Sequence, residues 1–220
     1  MPVFRPLILA GALAGLIVGL VLTGAQQIGT VPLILQAETH EHAEEETAWQ
    51  PAEGFERNAY TALFNVVEWI GFGFLLAGAQ VLARRRPGTQ IDWYAGLLWG
   101  LAGFLTFVIA PGLGLPPELP GVPAPPLEPR QIWWIGTAAA TAAGLGLIAF
   151  QRKPWAAALA IVLIAAPHLA GAPHLDKVET EVPELLQHQF IVAVTLTTLL
   201  SWSLLGGLTG FFYSRFDRSE

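Results

Sequence analysis

Residues 155–175 decide the fold, and they read WAAALAIVLIAAPHLAGAPHL. The first sixteen residues, Trp155 to Ala170, form an apolar block close to the shortest helix that crosses a bilayer. Whether this block crosses determines the side on which the C-terminal residues lie. The segment also holds His168 and His174, with two prolines and a glycine that oppose a regular helix. Imidazoles on a broken backbone at a membrane boundary indicate a site for a cation.

The composition indicates a polytopic membrane protein. The chain has 220 residues, of which 53% are apolar and 13% charged, and its mean hydropathy is +0.52. Soluble domains carry about 25% charged residues. The absence of cysteine excludes disulfides and thiolate sites, so imidazole and carboxylate are the ligand chemistry left. The net charge of −6 argues against a nucleic-acid partner, and no phosphate-binding loop or catalytic motif occurs, so we expect no enzymatic activity.

Six apolar blocks predict an all-α protein with six transmembrane helices in a single domain, residues 1–220. The predicted spans are 7–29, 59–83, 93–110, 131–150, 155–170 and 189–213. The first block continues weakly as far as Leu35. It also resembles a cleaved signal peptide, but it is long for a signal core, and Thr23 is a poor cleavage-site residue.

The basic residues predict that both termini lie inside the cell, because cytoplasmic segments are enriched in lysine and arginine. Six spans with the termini inside leave eight basic residues in the inner segments and three in the outer loops. The inner set is Arg5, Arg84, Arg85, Arg86, Arg152, Lys153, Arg215 and Arg218, and the outer set is Arg57, Arg130 and Lys177. The asymmetry favours a crossing by the short fifth block, since Arg215 and Arg218 would otherwise lie outside.

On this topology the acids and histidines gather on the opposite face. Thirteen of the seventeen acids fall in the three outer loops, and all five histidines lie outside or at the outer membrane edge. The positive-inside rule does not require this, and such a face raises the local concentration of cations. The pattern predicts an extracytoplasmic surface that captures a positive ion.

Two segments resemble each other and predict a three-plus-three inverted repeat. Residues 97–104, LLWGLAGF, match residues 204–211, LLGGLTGF, at six of eight positions. The third and sixth helices run in opposite directions on the predicted topology, as in the inverted repeats of secondary transporters. A chance match between leucine- and glycine-rich helices gives the same pattern.

Three histidines fall on one predicted hairpin and form the main candidate metal site. His168 closes the fifth span, His188 opens the sixth, and His174 lies between them. First-row divalent ions such as Co(II), Ni(II) and Zn(II) accept imidazole and carboxylate, whereas magnesium does not call for histidine. The alternative is that these histidines cap helix ends or lie among lipid headgroups.

Other polar residues supply weaker candidates. His40 and His42 stand beside Glu44–Glu46 and predict a flexible collector of metal, or a solvated acidic loop. Glu68 is an acid about ten residues into the second span, a position typical of permeation paths, or of a hydrogen bond to Asn65. Gln26 and Gln27 either hydrogen-bond between helices or supply carbonyl ligands, and the apolar setting favours the first use.

Several runs of unusual composition resemble the CbtA family, which is described as a probable cobalt transporter subunit. They cover nearly the whole chain and are Gln26-Gln27 with 32–34, Glu56-Arg57 with Thr61, 71–73 with 76–79, 110–121, 130–137, 167–169, 171–174 and Gln189-Phe190. His168 and His174 lie on these motifs, whereas His40, His42 and Glu68 lie outside them.

The resemblance implies a multi-pass protein of the bacterial inner membrane that carries a divalent transition metal, with Co(II) favoured over Ni(II) and Zn(II). It also implies a small single-span partner subunit, CbtB-like, with histidines near its end. The expected surroundings are therefore the lipid bilayer and a homo- or hetero-oligomer. The rival interpretation is a structural or assembly subunit of a larger membrane complex without a transport path, which the same glycine-rich helices would suit.

Overall fold

A computed structural model of the protein describes residues 4–40, 51–84, 90–151, 153–177 and 179–217. Within these ranges the chain forms seven helices and no strand, so the predicted all-α class is confirmed. The helices are α1 (Phe4–Ile28), α2 (Val31–Glu38), α3 (Phe55–Arg84), α4 (Trp93–Gly112), α5 (Leu127–Gln151), α6 (Pro154–Ala170) and α7 (Glu184–Asp217). Helix α4 contains a π-helical stretch, Leu105–Ile109, directly before Pro111.

Five of the described helices are long and apolar enough to cross a membrane, namely α1, α3, α4, α5 and α7. Helix α6 has 17 residues. Its length of about 25 Å is somewhat less than the hydrocarbon core of a typical bilayer. Each predicted span falls on one of these six helices, and most of the helices extend beyond the predicted bounds. Helix α7, for example, begins at Glu184 rather than at residue 189.

Helix α2 was not predicted. The sequence suggested that the first block continues weakly to Leu35, but α1 ends at Ile28 and a separate helix begins at Val31. Pro32 occupies the first turn of α2, where its missing N–H is not needed for a hydrogen bond. Leu33, Ile34 and Ala37 pack against a hydrophobic cluster formed by Leu119, Val182, Leu186 and Phe190.

The described chain divides into two compact units. The first unit contains α1, α3, residues 93–101 of α4 and residues 196–217 of α7. The second contains α2, residues 102–112 of α4, α5, α6 and residues 184–195 of α7, with the loops between them. Helices α4 and α7 are therefore divided, and each contributes one part to the first unit and one part to the second.

In the first unit α1 and α3 pack antiparallel with their backbones in contact. Gly11 lies against Gly73, Gly15 against Ile70, and Gly19 against Val66. A Cβ atom at Gly15 would overlap the α3 backbone at Trp69 and Ile70. Small residues permit the two helix backbones to approach closely. In lipid no hydrophobic effect drives helices together, so this close packing favours their association.

The first unit has a second glycine contact, between α4 and α7. Gly96 and Gly100 lie against the backbone at Gly206, and Gly210 lies against Asp92 and Gly96. The two helix segments run antiparallel. The matching sequences 97–104 and 204–211 each contribute to this contact.

In the second unit α5 and α6 form an antiparallel pair. Gly144 of α5 lies against Ile164 of α6, and Trp133 near the start of α5 contacts the end of α6. The predicted fifth span, 155–170, ends at the same residue as α6, and Pro167 and His168 are accommodated within the helix although the prolines and glycine of this segment oppose a regular helix. The helix ends where the Gly171 N–H donates to the Pro167 carbonyl, at 3.1 Å, and Gly171 adopts a positive φ of 88°.

Candidate functional site

The second unit contains a cleft that we call the proline cleft. It is lined by parts of residues 114–125 and 173–175, with Gln187 and Ile191 of α7. Its volume is about 250 Å³. Since a water molecule in the liquid occupies about 30 Å³, the cleft has room for a cation with several water ligands.

The two loops that form the cleft are held together by hydrogen bonds and apolar packing. The Thr180 hydroxyl donates to the Gly121 carbonyl at 2.7 Å and accepts from the Val182 N–H at 3.1 Å. Leu119, which lines the cleft, belongs with Val182 to the cluster that α2 covers. Polar groups in the cleft are therefore carried on a packed scaffold, as an ion site requires.

His174 lines the cleft with its imidazole oriented by the backbone. Its Nδ1 atom lies 3.2 Å from the Ala172 carbonyl oxygen. A carbonyl only accepts, so Nδ1 carries the proton and Nε2 of the neutral ring carries the lone pair. Histidines that bind metals are commonly fixed in this way by their second nitrogen.

Glu118 and Gln187 supply the other polar side chains among the described residues that line the cleft. Glu118 Oε2 forms an ion pair with Arg130 Nη2 at 2.7 Å. The Gln187 amide nitrogen donates to the Val182 carbonyl at 3.0 Å, so its oxygen is the atom that could act as a ligand. Sequence reasoning did not select either residue. Glu118 could have been found, because it lies within the unusual run 110–121, but Gln187 carries no sequence signal.

His168 lies outside the set of residues that line the cleft. Its ring is half-buried and packs edge-on against Trp133, with centroids 5.8 Å apart. The Trp133 indole N–H donates to the Pro167 carbonyl at 3.1 Å. Trp133 therefore anchors the end of α6, from which the chain continues to His174.

His188 and His40 lie apart from the cleft lining. His188 is exposed on α7, with Nε2 at 3.6 Å from Glu184 Oε1. His40 follows α2, and its Nδ1 lies 3.0 Å from the Gln36 carbonyl oxygen, so Nε2 is again the atom with the lone pair. His42 lies outside the described residues.

Glu68 belongs to the first unit and is exposed on α3. Asn65, its suggested partner, instead donates to the Thr23 hydroxyl at 3.0 Å and to the Gln26 side-chain oxygen at 2.7 Å. The Gln27 amide also donates to the Asn58 side-chain oxygen, at 3.1 Å. The predicted role of Gln26 and Gln27 in joining helices is confirmed.

No group of three or more histidine, aspartate or glutamate side chains within the described residues is placed to hold a metal ion. The proline cleft offers two such donors, His174 and Glu118, with the Gln187 amide oxygen. An ion there would keep several water ligands. Because most ligands of such an ion would be water, the site would favour exchange of the ion over its permanent retention.

Comparison with known proteins supports the resemblance drawn from the motifs. No curated protein and no solved structure matches the chain. A family model with the description "Probable cobalt transporter subunit (CbtA)" matches residues 4–214, nearly the whole chain. With several apolar helices of membrane-spanning length, this match identifies a multi-pass membrane protein of a cobalt transport family. The chain belongs to the CbtA family of probable cobalt transporter subunits.

Proposed function

We propose that the chain is the membrane subunit of an uptake transporter for a divalent transition metal, with cobalt favoured over nickel and zinc. The observation that carries the proposal is the oriented imidazole of His174, in one cleft with Glu118 and the Gln187 amide. Imidazole and carboxylate together suit Co(II), Ni(II) and Zn(II). The family description favours cobalt among these ions.

His174 Nε2 and a Glu118 oxygen are the proposed first ligands of the incoming ion. His168 and His188, on the same hairpin, are proposed as neighbouring contacts on its way to the cleft. His40 and His42, with the acids that follow α2, collect the ion beforehand. Glu68, an acid within an apolar span, is proposed to receive it on the inward path.

The proposed topology has six spans with both termini in the cytoplasm. The antiparallel packing of α6 along α5, from Gly144 to Trp133, supports a return crossing by the short helix. The ends of α3 and α7 meet through the ion pair between Arg84 and Asp217, at 2.7 Å, which suits a common side for both. The prolines and His174 of the cleft then face the extracytoplasmic side.

The composition of the two units supports a three-plus-three inverted repeat within one transmembrane domain, residues 1–220. The first unit combines the first two spans with the first part of the third and the last part of the sixth. The second combines the fourth and fifth spans with the first part of the sixth and the last part of the third. The third and sixth spans thus each contribute a first part to one unit and a last part to the other, as corresponding spans of an inverted repeat would do.

The word "subunit" in the family description implies a partner. We propose a small single-span, CbtB-like protein that binds this chain within the lipid bilayer of the bacterial inner membrane. Its histidines would add ligands to a site that has two strong donors of its own.

Accumulation of radioactive cobalt in cells tests the proposed function. Cells that express the chain with its small partner should accumulate cobalt, and the double variant His168→Ala/His174→Ala should lose uptake at low cobalt concentration. Immunoblots of membranes control for equal amounts of protein. Normal uptake by the double variant would contradict the mechanism. Absence of uptake by the wild type, with co-purification in a large complex free of metal, would favour a structural subunit instead.

A further inference from the structure

Glu118 is the carboxylate of the proline cleft, and a cation of the protein itself already contacts it. Arg130 Nη2 lies 2.7 Å from Glu118 Oε2, and the two side chains are 29% and 24% exposed. The same carboxylate lines the cleft with His174. An ion that binds between His174 and Glu118 must therefore share this carboxylate with a guanidinium group or replace it.

The position of Arg130 on its helix does not favour its positive charge. Arg130 is the fourth residue of α5, which begins at Leu127. The N-terminal turn carries the positive end of the helix dipole, which disfavours a cation there and favours the acidic Glu128. The helix therefore contributes nothing to holding the guanidinium, and the ion pair to Glu118 offsets the cost of its position.

Arg84 offers a contrast, because contacts other than its ion pair also support its guanidinium group. Arg84 stands in the last turn of α3, where the helix dipole favours a cation. It bonds Asp217 at 2.7 Å, donates to the Tyr213 hydroxyl at 3.2 Å, and lies over the Tyr213 ring at 5.7 Å. Glu118, the partner of Arg130, lines a cleft together with an oriented histidine. Asp217, the partner of Arg84, does not line that cleft.

We propose that Arg130 is an internal cation that competes with the transported metal for Glu118. This inference rests on the proposed function. When the divalent ion binds His174 Nε2 and Glu118, the guanidinium leaves the carboxylate; when the ion departs, the guanidinium returns and neutralises it. The exchange limits affinity and keeps Glu118 from remaining an uncompensated, half-buried charge after release. Transport requires this balance, because a site that binds too tightly does not release its ion.

A double-mutant cycle on the full chain in detergent tests the competition. Co(II) affinity would be measured by calorimetry for the wild type, Arg130→Gln, Glu118→Gln and the double variant. We expect Arg130→Gln to raise affinity by about tenfold, a typical coupling between two linked sites. We expect Glu118→Gln to lower affinity, and Arg130→Gln to have no further effect in that background. Arg57→Gln is the charge-matched control, since Arg57 is also half-buried in a predicted outer segment, and it should not change affinity.

The conservative variant Arg130→Lys keeps the charge but loses the planar fork that matches a carboxylate. It should give an affinity between those of the wild type and Arg130→Gln, which keeps the test available if the glutamine variant does not purify. An affinity at or below the wild-type value for either variant would overturn the proposal.

If Arg130→Gln raised Co(II) affinity equally in the Glu118→Gln background, Arg130 would act only as a distant positive charge. That result would also overturn the proposal. Measuring Co(II) binding by His174→Ala distinguishes a failure of the proposed competition from a failure of the proposed function. If His174→Ala abolishes binding but Arg130→Gln does not raise it, only the competition fails. If the wild type binds no Co(II), both the competition and the proposed function fail.

Discussion

The α1/α3 contact of the first unit and the proline cleft of the second use polar groups in opposite ways. Between α1 and α3 the polar side chains are partners of one another, as in the hydrogen bonds from Asn65 to Thr23 and Gln26. In the cleft the backbone satisfies only one nitrogen of His174, and Glu118 contacts an arginine that a metal could replace. Polar residues that satisfy each other stabilise a membrane fold, and polar residues held by backbone groups remain available to a ligand.

The largest effect should come from filling the α1/α3 contact. A Cβ atom at Gly15 would meet backbone atoms of Trp69 and Ile70, which cannot move aside independently. We expect Gly15→Ala to lower the free energy of unfolding by about 3 kcal/mol or more, at the upper end for overpacked cores. Thermal unfolding and gel filtration in detergent would measure the loss.

Gly24→Ala is the matched control, because Gly24 lies on the same helix and no atom would lie within 4 Å of an added Cβ. It should leave stability unchanged or raise it by up to about 1 kcal/mol through helix propensity. Similar destabilisation by both variants would mean that close backbone packing does not hold α1 and α3 together.

A smaller loss should follow from breaking the amide network. Asn65→Leu removes the donor that Thr23 and Gln26 share, and the loss of these two hydrogen bonds between α1 and α3 should cost about 1–3 kcal/mol. Asn58→Ala breaks the exposed hydrogen bond to Gln27 and should cost about 0.5 kcal/mol or less. The same unfolding assay would compare them. Cobalt affinity should not change in either variant, and a loss of binding would place the first unit in the metal site.

A change in the scaffold of the cleft should lower stability less than Gly15→Ala does, but it should also affect the metal site. A Cβ at Gly114 would meet the Trp133 ring and the Ala172 side chain at 2.8 Å, next to the carbonyl that orients His174. We expect Gly114→Ala to cost about 1–2 kcal/mol. We also expect it to weaken cobalt binding by about tenfold, as changes behind a metal ligand do. Gly112→Ala adds a methyl group where no atom lies within 4 Å and should affect neither quantity. Calorimetry on both variants would show whether the orientation of His174 matters.

The sequence predicted the helices better than the contacts of the site. Apolar blocks bounded by charges located all six long helices, because length and hydropathy alone decide which segments suit a bilayer. Helix α2 was missed although Pro32 is a helix-start signal, because the apolar run conceals the break at Gly29 and Thr30. The end of α6 at Ala170 agrees with the predicted span, because Gly171 adopts a positive φ that stops the helix there.

His174 was selected from the sequence as a candidate ligand, but Glu118 and Gln187, which line the same cleft, were not, because the cleft brings together residues more than fifty positions apart. The pairing of Asn65 with α1 rather than Glu68 likewise depends on how two helices face each other. Periodicity and composition indicate which residues are unusual, whereas the partner of each residue is set by tertiary packing.

Equilibrium titration of the purified chain with Co(II), Ni(II) and Zn(II) tests the central claim most directly, with the wild type compared with His174→Ala and His188→Ala. The account predicts about one ion per wild-type chain and a loss of affinity of at least about tenfold for His174→Ala. The effect of His188→Ala should be clearly smaller, because His188 does not line the cleft. Equal affinity in the wild type and His174→Ala would contradict the account, because the metal would then bind elsewhere than the proline cleft.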